Sequence, residues 1–409
     1  MRRAWPLVLV VTGCRPPGAR PLAVDDLDPT PVVRAAAYDL RWNGALIGEA
    51  VQRDDGARLV RRERIVVRRG DQVVTDEVVV TVDRDGDRPT RVVLERGEQG
   101  GVAIATDRGW AVAVHGEPSV ELPPAPPFEH VLARAADAGG YRGPVLLAGW
   151  GFAEAELTVE PDGDAWRARL EVDGGAVTAR VRLGADGLPD EIDGGDGVTA
   201  VRRPAGAPAP RFEPIEVVDG SAITVTGGAA PTLDFPDAQA PVPALPGQRT
   251  APAPAGGWRV ELAADAPGDL PPGAPGPDRR ADLAAMTARV AAAVTDDLGA
   301  TAATVGAARQ ADRGDCTTHA LKLVALADDA GIPVRVVTGL RLDGDRLVRH
   351  RWVVAWTGAR WQAVDPTYGE SPAAPALIGL AVHGPRAADL ALADAVVFDR
   401  LGARAVAAR

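Results

Sequence analysis

The chain is short of cysteine and almost without lysine. Among 409 residues only Cys14 and Cys316 are cysteines, fewer than structural zinc sites generally use. Of the 45 basic residues only Lys322 is lysine, which points to a compositional bias towards Ala, Gly, Pro, Asp and Arg and not to an arginine-based function. Basic excess is missing too: the formal net charge of −11 argues against a nucleic-acid partner. After the first residues no apolar run is long enough to span a membrane, and no internal repeat is clear. What remains, 46% hydrophobic and 25% charged, suits folded soluble domains, and the length allows two or three of them.

Met1-Arg2-Arg3, then the apolar Ala4 to Val11, then Thr12-Gly13-Cys14 has the order of a secretory signal. Residues 1–13 are expected to be that signal and 14–31, rich in proline, a tether. From Val32 to about Arg203, short alternating segments are punctuated by turns such as Asn43-Gly44 and Asp54-Asp55-Gly56, a spacing that means antiparallel sheet. Two such runs flank the helical-looking Phe128 to Ala138, and they are candidates for halves of one sheet. Arg58, Arg61, Arg62, Arg64, Arg68 and Arg69 form a basic run that alternation assigns largely to a solvated face. Residues 204–277, rich in Pro and Ala, read as a linker with short strands at 215–218, 223–226 and 258–262.

Chemistry concentrates in 278–409. Leu283, Met286, Val290 and Val294 recur at helical spacing in a segment from Asp278 to Leu298. Arg313-Gly314-Asp315-Cys316 then describes a loop delivering a thiol to a helix start, with Asp315 as N-cap and Gly331 and Pro333 as the stop. The positive end of a helix favours an anionic sulfur, and its free N–H groups can serve as oxyanion donors. Three strands follow, Val334 to Leu342, Arg346 to Thr357 and Arg360 to Asp365, the last two joined by Gly358-Ala359 as a two-residue turn, so that Thr357 faces Arg360 and Asp365 falls opposite Trp352. His350 and Asp365 then lie diagonally on one sheet face, close enough for a carboxylate to orient an imidazole. Segments 376–382 and 395–401 read as closing strands.

Four stretches carry a resemblance: Gly314-Asp315-Cys316-Thr317 with His319-Ala320, Ala330 to Gly339, His350-Arg351-Trp352, and Trp361 to Thr367. Their order resembles the transglutaminase-like family, a branch of the papain-like cysteine enzymes, over roughly the last third of the chain. The resemblance implies Cys316 as nucleophile, His350 as base and then acid, and Asp365 as the group holding the imidazole. Thr318 stands where many members have Glu, and Arg351 where a small residue is common. The expected fold class is α+β: an N-terminal antiparallel β-sheet domain at 32–203, then a transglutaminase-like catalytic domain at 278–409. The implied activity is acyl transfer at a Gln carboxamide or peptide bond, without metal or cofactor, resolved by water or by an amine. A chain with one lysine is a poor donor for its own cross-linking. The partner would be a protein or peptide substrate.

Val11-Thr12-Gly13-Cys14 resembles the bacterial lipobox, which implies a lipid on Cys14, a membrane anchor and an exported envelope location. Cys316 would then be the one free thiol. Oligomeric state is left open. Competing readings are an ordinary N-terminus, a metal held by Cys316 and His319 with His350 and Asp365, a turn-capping Asp365 before Pro366-Thr367, and a catalytically silent lipoprotein that uses the fold to bind. His319 is expected to pack or hydrogen-bond beneath the thiol, and His115, His130 and His383 to be structural. Asp365 is expected to serve the site without holding the core, and Trp352 to be core or a wall of the substrate slot.

Overall fold

The computed structural model describes residues 34–401 and 407–408, apart from 70–71, 98, 133, 136–137, 173–174, 195–197, 208–209, 211–231, 236–237, 239–240, 255 and 344–345. Cys14, the tether and the strands expected at 215–218 and 223–226 lie outside the described residues. The chain divides into two units, Met1–Glu216 and Val217–Arg409.

In the first unit the two alternating runs are one antiparallel sheet of 14 strands. Strands from Arg34–Trp42 to Val120–Leu122 are laid down in order, each beside the last. The chain then crosses, and strands from Tyr141–Leu147 to Val198–Arg202 return to pair with the free edge of the first, Trp42 against Val198. The tight Asn43-Gly44 turn has both φ angles positive (48° and 82°), the geometry that matches strand twist. One core joins the runs: Val80, Val92 and Trp110 from the first pack with Leu146 and Phe152 from the second. The basic run departs from expectation at Arg64, which is buried and ion-paired with the buried Glu49 on the neighbouring strand. Arg62 is half-buried and donates to Glu77. Strand pairing supplies these arginines with facing carboxylates, which a single alternation pattern does not show.

In the second unit, helices α1 (Arg280–Ala293), α2 (Val305–Gln310) and α3 (Cys316–Asp329) precede strands β1 (Val334–Asp343), β2 (Arg346–Trp356), β3 (Trp361–Val364) and β4 (Leu377–His383), and helix α4 (Ala387–Leu401) follows. The sheet is antiparallel in the order β3-β2-β1-β4. Leu283 and Val290 of α1, Leu321 and Val324 of α3 and Leu390 of α4 share a core with Val336, Val353 and Ala355. Another cluster joins Val337, Trp352 and Val354 to Leu245 and, half-buried, Leu270. Leu245 and Leu270, both from the segment read above as a linker, therefore pack into the core of this unit. Gln248 seals it, with Nε2–H donating to Gly379 O (3.0 Å) and Oε1 accepting from Gly379 N–H (2.7 Å).

Two elements differ from the sequence expectation. The first helix stops at Ala293, because Thr295–Asp296 turns extended and pairs in parallel with Arg313–Gly314 just before the thiol. The strand expected at 395–401 is the second half of α4. A short apolar run fits either period; here Leu390, Asp394 and Val397 are buried at helical spacing, and Asp389 accepts from Arg386 N–H at the helix start.

Candidate active site

Helix α3 begins where the sequence places it. Asp315 is its N-cap, with Oδ1 accepting from Thr317 N–H (3.0 Å) and Thr318 N–H (3.3 Å). Its Oδ2 accepts from the Thr301 hydroxyl (2.8 Å), and its N–H donates to Ala300 O (2.9 Å), so the loop before the thiol is held from both sides. Thr318 is fully buried, and its hydroxyl accepts from Ala302 N–H (2.9 Å). A Cβ on Gly314 would lie 2.2 Å from that hydroxyl oxygen, so the glycine is required by the close approach of Thr318. The threonine thus anchors the helix start to the 300–302 loop. His319 lies beneath, buried, with Nδ1–H donating to Asp315 O (3.1 Å). Cys316 is a free thiol of intermediate exposure.

The hairpin count also holds: Trp356 pairs with Trp361 and Val353 with Val364, which sets Asp365 opposite Trp352. Because β3 ends at Val364, its pairing with β2 stops at Val353, and among the described residues no strand pairs with β2 on that side at His350. His350 Nε2 is 2.8 Å from Asp365 Oδ2. A carboxylate only accepts, so Nε2 carries the proton and the remaining ring nitrogen is left for the thiol. Burial pushes the His350 imidazolium down, but hydrogen bonds and charge from Asp365 and Cys316 override it and raise the group from 6.5 to about 9. The structure therefore brings Cys316, His350 and Asp365 together. Trp352 stacks beside the imidazole at 6.0 Å and is buried, packed with Val337 and Val354 in the core.

Asp365 departs from the expectation that it serves the site alone. It is fully buried, and Arg341 Nη1–H donates to the same Oδ2 that accepts from His350 (2.7 Å), while Oδ1 accepts from Thr367 N–H (3.2 Å). Turn capping and imidazole orientation, posed as alternatives, are carried by different oxygens of one carboxylate. The sequence reading missed Arg341 together with Glu370 and Tyr368, which surround it. The signal was present, since the pairing of Gly339 with His350 puts Arg341 on the same face, two residues along.

Arg351 points to the other face of β2. Its guanidinium donates to the hydroxyls of Thr317 (2.8 Å) and Thr338 (2.9 Å) and to Asp394 Oδ1 of α4 (2.6 Å). Thr317 follows Cys316 and Arg351 follows His350, so one hydrogen bond ties together the two segments that carry the pair. The departure from a small residue at 351 is thus matched by a buried carboxylate on α4. The Thr338 hydroxyl donates onward to His383 Nε2 (2.8 Å), and burial with the Arg351 charge lowers His383 to about 3. His383 is accordingly neutral and structural.

Residues 283–366 match the family model of the transglutaminase-like superfamily. The second unit carries a transglutaminase-like domain. The match begins in α1 and ends one residue after Asp365, so Cys316, His350 and Asp365 all fall within the transglutaminase-like segment, whereas Glu370 and α4 lie beyond it. Comparison of the chain with curated proteins and with solved structures returned no match.

Proposed function

We propose that the transglutaminase-like domain catalyses thiol-dependent acyl transfer at amide bonds. Cys316 attacks a Gln carboxamide or peptide carbonyl, His350 gives its proton to the leaving ammonia or amine, and Asp365 holds the imidazole. The acyl-thioester is then resolved by water, as in a peptidase or amidase, or by an amine, as in a transglutaminase. The observation that carries this reading is the imidazole of His350, bonded through Nε2 to Asp365 and facing Cys316 with its other nitrogen. Asp315 occupies the N–H groups of Thr317 and Thr318, so the oxyanion donor in this scheme is the N–H of Cys316 itself.

The test is turnover of a Gln-containing peptide, read both as ammonia release and as amine incorporation, by wild type and Cys316→Ala. The variant should lose at least a thousandfold, since the thioester through which both half-reactions pass forms on the Cys316 sulfur. Activity retained by Cys316→Ala would remove the thiol from the mechanism, and a wild type silent in both readouts would favour a binding scaffold. We further propose that the mature protein is exported and lipid-anchored through Cys14, on the order of its N-terminal residues. Labelled fatty acid should enter the wild type and not Cys14→Ser. No helix among the described residues is long and apolar enough to cross a membrane.

A further inference from the structure

We infer that Arg341 and Glu370 are a positioning pair that fixes the orientation and balances the charge of Asp365, so that His350 is held by a three-residue unit and not by one carboxylate. The inference rests on the proposed role of His350.

The geometry leaves Asp365 little freedom. Its Oδ2 accepts from His350 Nε2–H at 2.8 Å and from Arg341 Nη1–H at 2.7 Å, and Oδ1 is taken by Thr367 N–H. Rotating the carboxylate breaks several bonds at once. Arg341 is held in turn by Glu370, through Nη1 to Oε2 (3.1 Å) and Nη2 to Oε1 (3.0 Å), the forked arrangement that fixes direction as well as charge. The backbones of Asp365 and Glu370 exchange two hydrogen bonds of 2.9 Å, so the two carboxylates are presented from one closed turn. Within that turn the ring of Tyr368 covers the guanidinium at 3.6 Å from the ring centre and meets the His350 ring edge-on at 5.7 Å.

The charges explain why two residues are needed. Arg341 alone, sharing an oxygen with His350, would offset the negative charge that supports an imidazolium. Glu370 restores it: two carboxylates and one guanidinium leave one net negative charge facing His350. Burial pushes Glu370 up, but the Arg341 hydrogen bond and that of Ala374 N–H hold its carboxyl below the usual range, so it is ionised. The titratable groups facing His350 are Cys316 from α3, Asp365 and Tyr368 from the turn, and behind them Arg341 from β1 and Glu370. Arg349, Arg351 and Asp394 belong to the opposite face of β2.

The experiment is a nitrogen-15 NMR titration of His350 in wild type, Arg341→Met, Glu370→Gln and the double variant, with kcat and KM measured on the same preparations. Removing the negative charge at 370 should lower the His350 midpoint, and removing the positive charge at 341 should raise it, each by about one unit for charges this close in a partly buried site. The double variant should return towards wild type. The kcat of Arg341→Met should fall about tenfold or more with KM little changed, and Arg341→Lys should recover part of it. A merely structural pair moves neither midpoint in a charge-dependent direction. Midpoints all within about 0.2 units of wild type, or single variants shifting the same way, would overturn the inference. Should Arg341→Met not fold, Glu370→Gln and the double variant decide by the same criteria. The titration needs no substrate. Opposite shifts in a protein whose Cys316 never forms an acyl adduct would sink the functional reading and leave the positioning pair standing.

Discussion

Replacing Asp365 by Asn tests two consequences of one buried carboxylate at once. Three donors point at it: His350 Nε2–H, Arg341 Nη1–H and Thr367 N–H. An amide has one accepting oxygen. Turned one way, its NH2 meets the His350 and Arg341 donors; turned the other, it meets Thr367 N–H and offers the imidazole a neutral oxygen in place of an anion. The imidazole can relieve the first arrangement only by moving its proton to the nitrogen facing Cys316, the wrong tautomer for accepting a proton there. Turnover should fall a hundredfold or more, which is about 2.7 kcal/mol of transition-state stabilisation. Stability should fall as well, by about 2 kcal/mol, because a buried charge-assisted bond to Arg341 is weakened while Glu370 still holds that guanidinium. The assays are kcat against pH and the unfolding free energy in urea, and the limb of the profile set by His350 should move to lower pH as its carboxylate support is removed. Turnover within about threefold of wild type together with unchanged stability would refute both the orienting role and the buried ion pair.

Asp394→Asn should cost about 3 kcal/mol in urea unfolding, because it leaves the buried Arg351 guanidinium without its carboxylate; a change under about 0.5 kcal/mol would show that Arg351 is satisfied by Thr317 and Thr338 alone. Gly314→Ala should destabilise by about 2 kcal/mol and slow alkylation of Cys316, since the new methyl meets Thr318. Relief by the second change Thr318→Ala should follow, and its absence would locate the strain elsewhere. His350, raised to about 9, contributes stability that is fully present below about 6.5 and is lost as pH rises through 9. Wild type should therefore lose up to about 3 kcal/mol across that interval and His350→Gln much less; parallel curves would show no His350 coupling.

The parts of the second unit that follow from local pattern were legible. A capping aspartate, a helix of apolar period and a glycine stop need only neighbours in sequence, and α3 runs from Cys316 to Asp329 before Gly331 at φ 65°. Strand register is nearly as local once a two-residue turn is recognised, which is why Asp365 could be set beside His350. What escaped depends on distant chain. Arg341 and Glu370 meet Asp365 across the sheet and around a turn, and Arg351 finds Asp394 on a helix 43 residues away. Pattern treats each as an ordinary charged residue. The run after Ala395 was misread because its apolar residues fit two periods, and tertiary contact to the sheet selected the helix. In the first unit, alternation disclosed strands but not partners. The burial of Arg64 follows from Glu49 on the adjoining strand, a pairing fixed by the whole sheet.

The central claim is a nucleophilic thiol at Cys316 served by His350. It is tested most directly by intact-protein mass spectrometry after a brief reaction with an activated acyl ester, in wild type, Cys316→Ala and His350→Gln. The account predicts one acyl group on the wild type, mapped to Cys316 and released faster by added amine or water when His350 is present, and none on Cys316→Ala. An acyl group found elsewhere, or equal labelling and release in His350→Gln, would contradict it.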